Sequence, residues 1–155
     1  MPCHAAIAEK SITLKPDTEV EVALKELKRK NVSEAAVIDD DGNVIGIFSL
    51  TIVMKNLLPV SVPMSDGIVL DVTVRAAPGI AKRLKKVNPL KVEELMERKV
   101  PTVHPDTPIW EAVSHLVSGH SCLVVVEGES RKYLGMVTPA SAMDELKRLQ
   151  ESEAL

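Results

Sequence analysis

An α+β fold of two tandem β-α-β-β-α repeats, separated by an inserted strand and helix, is what the sequence predicts. Three observations carry that prediction. The first is an internal duplication: Lys15-Pro16-Asp17-Thr18 returns as His104-Pro105-Asp106-Thr107, a spacing of 89 residues from Asp17 to Asp106. The same spacing carries Ala23 onto Ala112, Leu27 onto Leu116, Val37 onto Val126, Gly46 onto Gly135, Met54 onto Met143 and Leu57 onto Leu146, with no gap. A repeat found first decides how everything else is interpreted. The second is an alternation of periodicities, from extended to helical and back, in the same order in each copy. The third is composition: the chain is 45% hydrophobic but only 2% aromatic, so its core is built from Val, Leu, Ile and Ala.

The elements follow in order. In the first copy, residues 11–14 form a short extended segment ended by Pro16. Thr18 opens a helix, with Glu21 three residues on to complete a capping box, and Val20, Ala23, Leu24 and Leu27 follow at helical spacing. In the second copy Thr107 is the expected N-cap and Pro108 the first helical residue, followed by Ile109, Ala112, Val113 and Leu116. Apolar runs at 35–38 and 44–48 flank the polar turn Asp39-Asp40-Asp41-Gly42-Asn43, and 123–126 and 133–137 repeat the pattern, which reads as a hairpin in each copy. A second helix is expected from Ser49 to about 58, and from Thr138 to about 149. These runs divide the chain into repeats at 5–58 and 94–147 and a connecting segment at 59–93. Within that segment the alternation over 68–74 predicts a strand, Ala76-Ala77-Pro78-Gly79 a break, and 80–87 a short basic helix closed by Asn88-Pro89. Some 30 residues is long for a plain linker inside a compact unit, so the segment is expected to be ordered.

Composition excludes several classes of function. A net charge of −3 offers no general attraction to nucleic acid, and the scarcity of aromatic rings removes the platforms on which single strands stack. No apolar run approaches the roughly 18–20 residues of a membrane span, and the start of the chain lacks a signal-peptide pattern. Cys3 and Cys122 allow one bridge at most; reduced thiols in a cytoplasmic protein are the simpler expectation. His120-Ser121-Cys122 does not have zinc spacing, the Asp39–Asp41 run lacks the twelve-residue calcium loop, and no catalytic signature motif is present. No metal, cofactor or enzymatic activity is expected.

The Pro-Asp-Thr turn leading into an Ala-containing helix, the valine-rich hairpin, and the element Gly46-Ile47-Phe48-Ser49, repeated as Gly135-Met136-Val137-Thr138, together resemble the CBS-domain family, named after cystathionine β-synthase. The resemblance covers about 54 residues twice. It implies paired repeats with pseudo-two-fold symmetry and a regulatory rather than catalytic role. It further implies a cleft between repeats that takes an adenosyl ligand (AMP, ADP, ATP or S-adenosylmethionine), a homodimer, and a separate protein that the module regulates. Carried onto this chain, the family's contact positions fall on Thr13 and Thr102 in the first strands, on Ser33 with Ala36 and Cys122 with Val125 at the hairpins, and on Ser49 and Thr138 at the final helices. His120 stands near the second hairpin, either as a phosphate contact or as an ordinary loop histidine.

Ser49 and Thr138 have two compatible readings. A strand-to-helix junction presents free amides and a partial positive charge, to which a hydroxyl adds a further hydrogen bond, so phosphate is a natural guest; equally, each is a plain N-cap worth ~1 kcal/mol. Nucleotide-binding members of the family carry an Asp three residues later, and here those positions are Ile52 and Ser141. Isoleucine accepts no hydrogen bond, which makes the site around Ser49 degenerate. Ser141 retains a neutral acceptor, so the cleft around Thr138 is the better candidate. Two features remain open: Lys82, Arg83, Lys85 and Lys86 are a solvated helix face or a phosphate or partner contact, and Trp110 is an interface anchor or is partly buried against a neighbouring helix. An adenosyl-ligand sensor and a ligand-independent dimeric interaction scaffold are the two functional expectations.

Overall fold

Two three-stranded sheets and six α-helices make up the computed structural model, which describes residues 3–57 and 77–152. The strand expected over 68–74 lies outside the described residues. Each repeat begins with a two-residue strand (β1, Thr13–Leu14; β4, Thr102–Val103), followed by a helix (α1, Val20–Lys30; α5, Ile109–Val117). A hairpin comes next (β2, Glu34–Ile38 with β3, Val44–Ser49; β5, Leu123–Glu127 with β6, Lys132–Val137), and then a closing helix (α2, Leu50–Leu57; α6, Pro139–Ser152). The first strand pairs parallel to the middle one and the hairpin is antiparallel, so the orders are β1-β2-β3 and β4-β5-β6. Between the repeats lie α3 (Ala77–Val87) and the single turn α4 (Val92–Leu95). α3 starts three residues before the expected basic helix because Pro78 falls in its first turn, where a missing N–H costs no helical hydrogen bond. Its Leu84 and Val87 pack into the first repeat's core, leaving Lys82, Arg83, Lys85 and Lys86 exposed.

Neither expected helix start forms as the sequence predicts. Thr18 and Glu21 make no capping box: α1 begins after Glu19, with no side-chain cap. The Val20 and Glu21 amides donate instead to the Leu90 and Asn88 carbonyls at 2.8 and 3.1 Å. In the second repeat Pro108, not Thr107, is the N-cap residue of α5, and Thr107 Oγ1 accepts the His104 amide at 3.0 Å. At α1, carbonyls supplied by a distant segment have taken over from local side chains, whereas at α5 the Glu111 and Ala112 amides bond locally to the Pro108 carbonyl.

Those segments are exchanged between the repeats. Val92 and Glu93 N–H donate to the Thr18 and Pro16 carbonyls (2.8 and 3.0 Å), and Cys3 and His4 N–H donate to those of Thr107 and Pro105 (2.8 and 3.2 Å). All four partners are related by the 89-residue spacing. Thus residues 92–97, at the head of the second repeat, complete the first, while a 3-10 turn (Cys3–Ala6) at the head of the first repeat completes the second. Val92, Leu95 and Met96 lie in one core with Val20, Leu27 and Phe48; Cys3 and Ala6 lie in the other with Ile109, Leu123 and Val137.

A third apolar cluster joins the two sheets: Val44, Ile47, Cys122, Val124, Val126 and Met136. Along β5 the side chains alternate, Leu123 and Val125 entering the second repeat's own core and Val124 and Val126 this shared layer. The hairpin tips lock the layer by a reciprocal pair of bonds, Val44 N–H to Arg131 O (2.9 Å) and Tyr133 N–H to Gly42 O (3.0 Å). Removing residues 1–8 is therefore expected to lower hydrogen-exchange protection in α5 and β4–β6 while sparing β1–β3, although β1–β3 are nearer in sequence. Equal loss in both repeats, measured by exchange mass spectrometry, contradicts the exchanged packing.

Candidate functional site

The pseudo-symmetric arrangement leaves two clefts, each walled by both repeats. The larger, about 1010 Å³, collects Ser33 and Glu34 from the first repeat, Thr138 and Ser141 from the second, and residues 7–10 of the N-terminal segment. The smaller, about 510 Å³, collects Ser49 and Ile52 from the first repeat and His120 and Cys122 from the second. Six of the ten expected contact residues are thus sorted into the clefts: Thr138, Ser141 and Ser33 in one, Ser49, His120 and Cys122 in the other. Thr13, Thr102, Ala36 and Val125 line neither. Strand parity explains the last two. Val125 is buried in the second repeat's core, on the opposite face of β5 from Cys122, and Ala36 is fully covered.

At the mouth of the larger cleft, Thr138 and Ser141 satisfy one another. The Thr138 amide donates to Ser141 Oγ (2.8 Å), the Ser141 amide donates to Thr138 Oγ1 (3.1 Å), and the Ser141 hydroxyl donates to the Thr138 carbonyl (3.1 Å). This reciprocal cap occupies the amides that an anion would seek, and Pro139 has none. Ala140 alone keeps a first-turn amide for a ligand. Ser49 caps α2 similarly, its Oγ accepting the Ile52 amide at 3.2 Å, while the Leu50 amide is taken by Ser33 O at 3.1 Å. Both hydroxyls are therefore N-caps, and the anion-binding capacity expected of these helix starts is largely spent internally.

Electrostatics distinguish the clefts further. Four carboxylates (Glu9, Glu34, Asp144, Glu145) and two cations (Lys10, Arg148) line the larger one. Arg148 is committed to Glu145 through Nε–Oε2 (2.9 Å) and Nη2–Oε1 (2.5 Å). That guanidinium holds the Glu145 carboxyl below the usual carboxylate range against the opposing effect of burial, with a smaller contribution from His4. The smaller cleft balances Glu34 and Glu97 against Lys55 and Lys99. Burial pushes the Cys122 thiol well above its ordinary pKa, and the adjacent Glu34 carboxylate adds to the effect. Among the described residues no group of three or more His, Cys, Asp or Glu side chains is arranged to hold a metal. Asp39 Oδ1 accepts the amides of Asp41 and Asn43 (3.0 and 2.9 Å), so the acidic run is a self-bonded turn.

Glu34, Asp144, Glu145 and Arg148 were not singled out from the sequence. The last three were accessible to it, since 141, 144, 145 and 148 share one face of a helix. Glu34 carries a subtler signal: its counterpart at the 89-residue spacing is the fully buried Leu123.

The sequence model of the CBS domain matches residues 5–59 and 92–148. The chain belongs to the CBS domain family. Among solved structures it is similar to the CBS-pair protein CBSX2 of Arabidopsis thaliana (22% identity, 97% of this chain and 96% of that one, TM-score 0.72). The complex of CBSX2 with AMP aligns equally well (22% identity, 96% of this chain and 98% of that one, TM-score 0.72). A CBS domain-containing protein of unknown function from Bacillus anthracis has the same fold at 16% identity (96% of this chain and 94% of that one, TM-score 0.72). A search of curated proteins gave no match.

Because Glu145 has a lowered pKa, its stabilising effect is complete above the ordinary carboxylate value of roughly 4.3 and is lost as pH falls through the folded value. Replacing Glu145 with Gln is expected to destabilise the chain at pH 7 and to cost less at pH 3, as measured by urea unfolding at both. An equal penalty at both pH values contradicts the ion-pair assignment.

Proposed function

We propose that this CBS pair is a regulatory module that binds an adenosyl ligand in the cleft around Thr138 and has no catalytic centre of its own. The carrying observation is that both repeats contribute walls to this cleft, so a guest contacts Ser33–Glu34 and Thr138–Ser141 at once and biases how the repeats sit together. A ligand shifts such an equilibrium only through its differential affinity for the two arrangements. The AMP complex of CBSX2 supports the adenosyl class.

The chemistry of the walls ranks the candidates. With a single first-turn amide available and carboxylates outnumbering cations, a polyphosphate meets repulsion, whereas the sulfonium and ammonium of S-adenosylmethionine meet attraction. S-adenosylmethionine is therefore favoured over AMP, and AMP over ADP and ATP. The cleft around Ser49, with Ile52 where a polar acceptor would serve, is the weaker of the two.

The scaffold alternative draws support from the self-satisfied Thr138–Ser141 cap and from the outer face of α5, where Trp110 and Val117 are 70% and 81% exposed. The partial burial considered for Trp110 does not occur. Their first-repeat counterparts, Glu21 and Lys28, are charged. We infer that this apolar face lies at a homodimer contact under either reading, and that a separate protein is regulated through the assembled module. A cytoplasmic location accords with two unpaired, buried cysteines and with no described helix being long and apolar enough to cross a membrane.

Two measurements decide between the readings. S-adenosylmethionine at 100-fold its dissociation constant is expected to stabilise the chain by roughly 2.7 kcal/mol, with smaller thermal shifts for AMP at the same concentration and the smallest for ATP. Thr138→Val is expected to weaken the effect and Ser49→Ala to leave it. No shift with any of these ligands, together with blank calorimetric titrations, rules out the adenosyl reading and leaves the scaffold. Trp110→Glu is expected to move the chain from dimer to monomer on sizing chromatography; an unchanged elution volume removes Trp110 from the contact.

A further inference from the structure

The two clefts meet at one pair of side chains. Glu34 and Ser121 line both of them, and the Ser121 hydroxyl donates to Glu34 Oε2 at 2.8 Å. The bond joins the first residue of β2 to the turn that carries Gly119, His120 and Cys122, across 87 positions of sequence. It has no symmetry mate, because the equivalents of Glu34 and Ser121 are Leu123 and Val32. A carboxylate therefore stands at the wall common to both clefts, where strict duplication would have put leucine. Directly behind it lies Cys122, only 2% exposed, in the apolar layer between the sheets.

We propose that the Glu34–Ser121 hydrogen bond is a latch that closes the partition between the clefts, so that a ligand drawing Glu34 into the larger cleft loosens the wall of the smaller one. The ligand half of this inference rests on the adenosyl reading above; the latch does not. A carboxylate that turns towards a cationic or hydroxyl donor in one cleft gives up its bond to Ser121, and the 118–122 turn loses its side-chain tie to β2. Occupancy of one cleft then alters affinity in the other by the same factor in both directions.

Cys122 reports the state of the latch, because its alkylation requires local opening. Iodoacetamide labelling of the full chain, followed by mass spectrometry of the Cys122 peptide, separates it from Cys3. Ser121→Ala leaves the carboxylate in place and is expected to raise the labelling rate roughly tenfold, the scale set by a hydrogen bond to a charged group. Glu34→Ala is expected to exceed Glu34→Gln, which lacks the charge equally but keeps an acceptor. The double variant Glu34→Ala, Ser121→Ala should label no faster than Glu34→Ala alone, the non-additivity of a directly coupled pair. Additive effects, or an unchanged rate in Ser121→Ala at an unchanged melting temperature, overturn the latch. Adding S-adenosylmethionine should accelerate labelling in the natural sequence and not in Glu34→Ala. Calorimetric binding without acceleration overturns the coupling. A blank titration overturns the adenosyl reading and the ligand half with it, while the ligand-free rates still decide the latch.

Discussion

The close approach of a neighbouring segment to the bare backbone of Gly46 and Gly135 is the constraint on which the rest of the architecture depends. At Gly46 a Cβ would stand 2.7 Å from Met96 Sδ and 3.0 Å from the Glu97 carbonyl; at Gly135 it would stand 2.5 Å from Ile7 Cγ2. Both contacts are made by the exchanged segments, and the 89-residue spacing maps one onto the other. Only a residue without a side chain lets residues 92–97 lie against β3, where Ile47 and Glu97 exchange two backbone bonds (2.9 and 2.8 Å). The Ala8 amide makes the corresponding bond to Met136 at 2.8 Å. Without these segments each three-stranded sheet would leave one core face open and the turn before its first helix without its backbone bonds, so neither repeat is a complete folding unit. The pair folds as a pair.

Exchange also determines where clefts form. The shared apolar layer and the reciprocal bonds at the hairpin tips hold the sheets face to face along the pseudo-two-fold axis. Gly42 and Arg131, equivalent by the same spacing, both adopt positive φ (85° and 63°) to make those tips. A single glycine serves one copy, while the other tolerates a left-handed arginine at some cost. With the sheets fixed there, the remaining gaps lie where the start of one hairpin faces the final helix of the other repeat, and the candidate contact residues fall on those edges.

Much of this was legible in the sequence because duplication is a long-range signal that needs no propensity scale. One spacing gives the element order, the hairpins and the final helices to within about three residues. What stayed hidden was non-local. Nothing around Thr18 or Thr107 announces that the Asn88 and Leu90 carbonyls will satisfy the start of α1 or that the Cys3 amide will bond to the Thr107 carbonyl. Cys3–Ala6 shares no identities with Val92–Leu95, so the sequence does not reveal the leading turns. Val125 was placed beside Cys122 because the family's contact positions were transferred without the strand's two-residue alternation. Ser141 is the polar member of its pair with Ile52, but its commitment to Thr138 is a matter of rotamer and distance that composition does not encode. Glu34 was within reach: a charged residue at the duplicate of a buried leucine is a local break in the repeat.

That break bears on how such a module could signal. Perfectly duplicated clefts would be equivalent, and filling both would favour no direction of movement. Here one cleft is acidic, roomy and walled by residues 7–10, the continuation of the same segment that bonds to the turn before α5 and fills the second repeat's core. A guest in it touches a structural tie of the second repeat and the hairpin of the first. The other cleft carries Ile52 and the buried Cys122 and touches no N-terminal segment. Under the proposed adenosyl reading, occupancy would stabilise one side of the pseudo-two-fold more than the other, and that side bears the exposed Trp110 and Val117 on α5. The asymmetry of the site and the asymmetry of the outer surface fall on the same repeat, which is the arrangement a binding event needs if it is to be felt by a neighbouring chain.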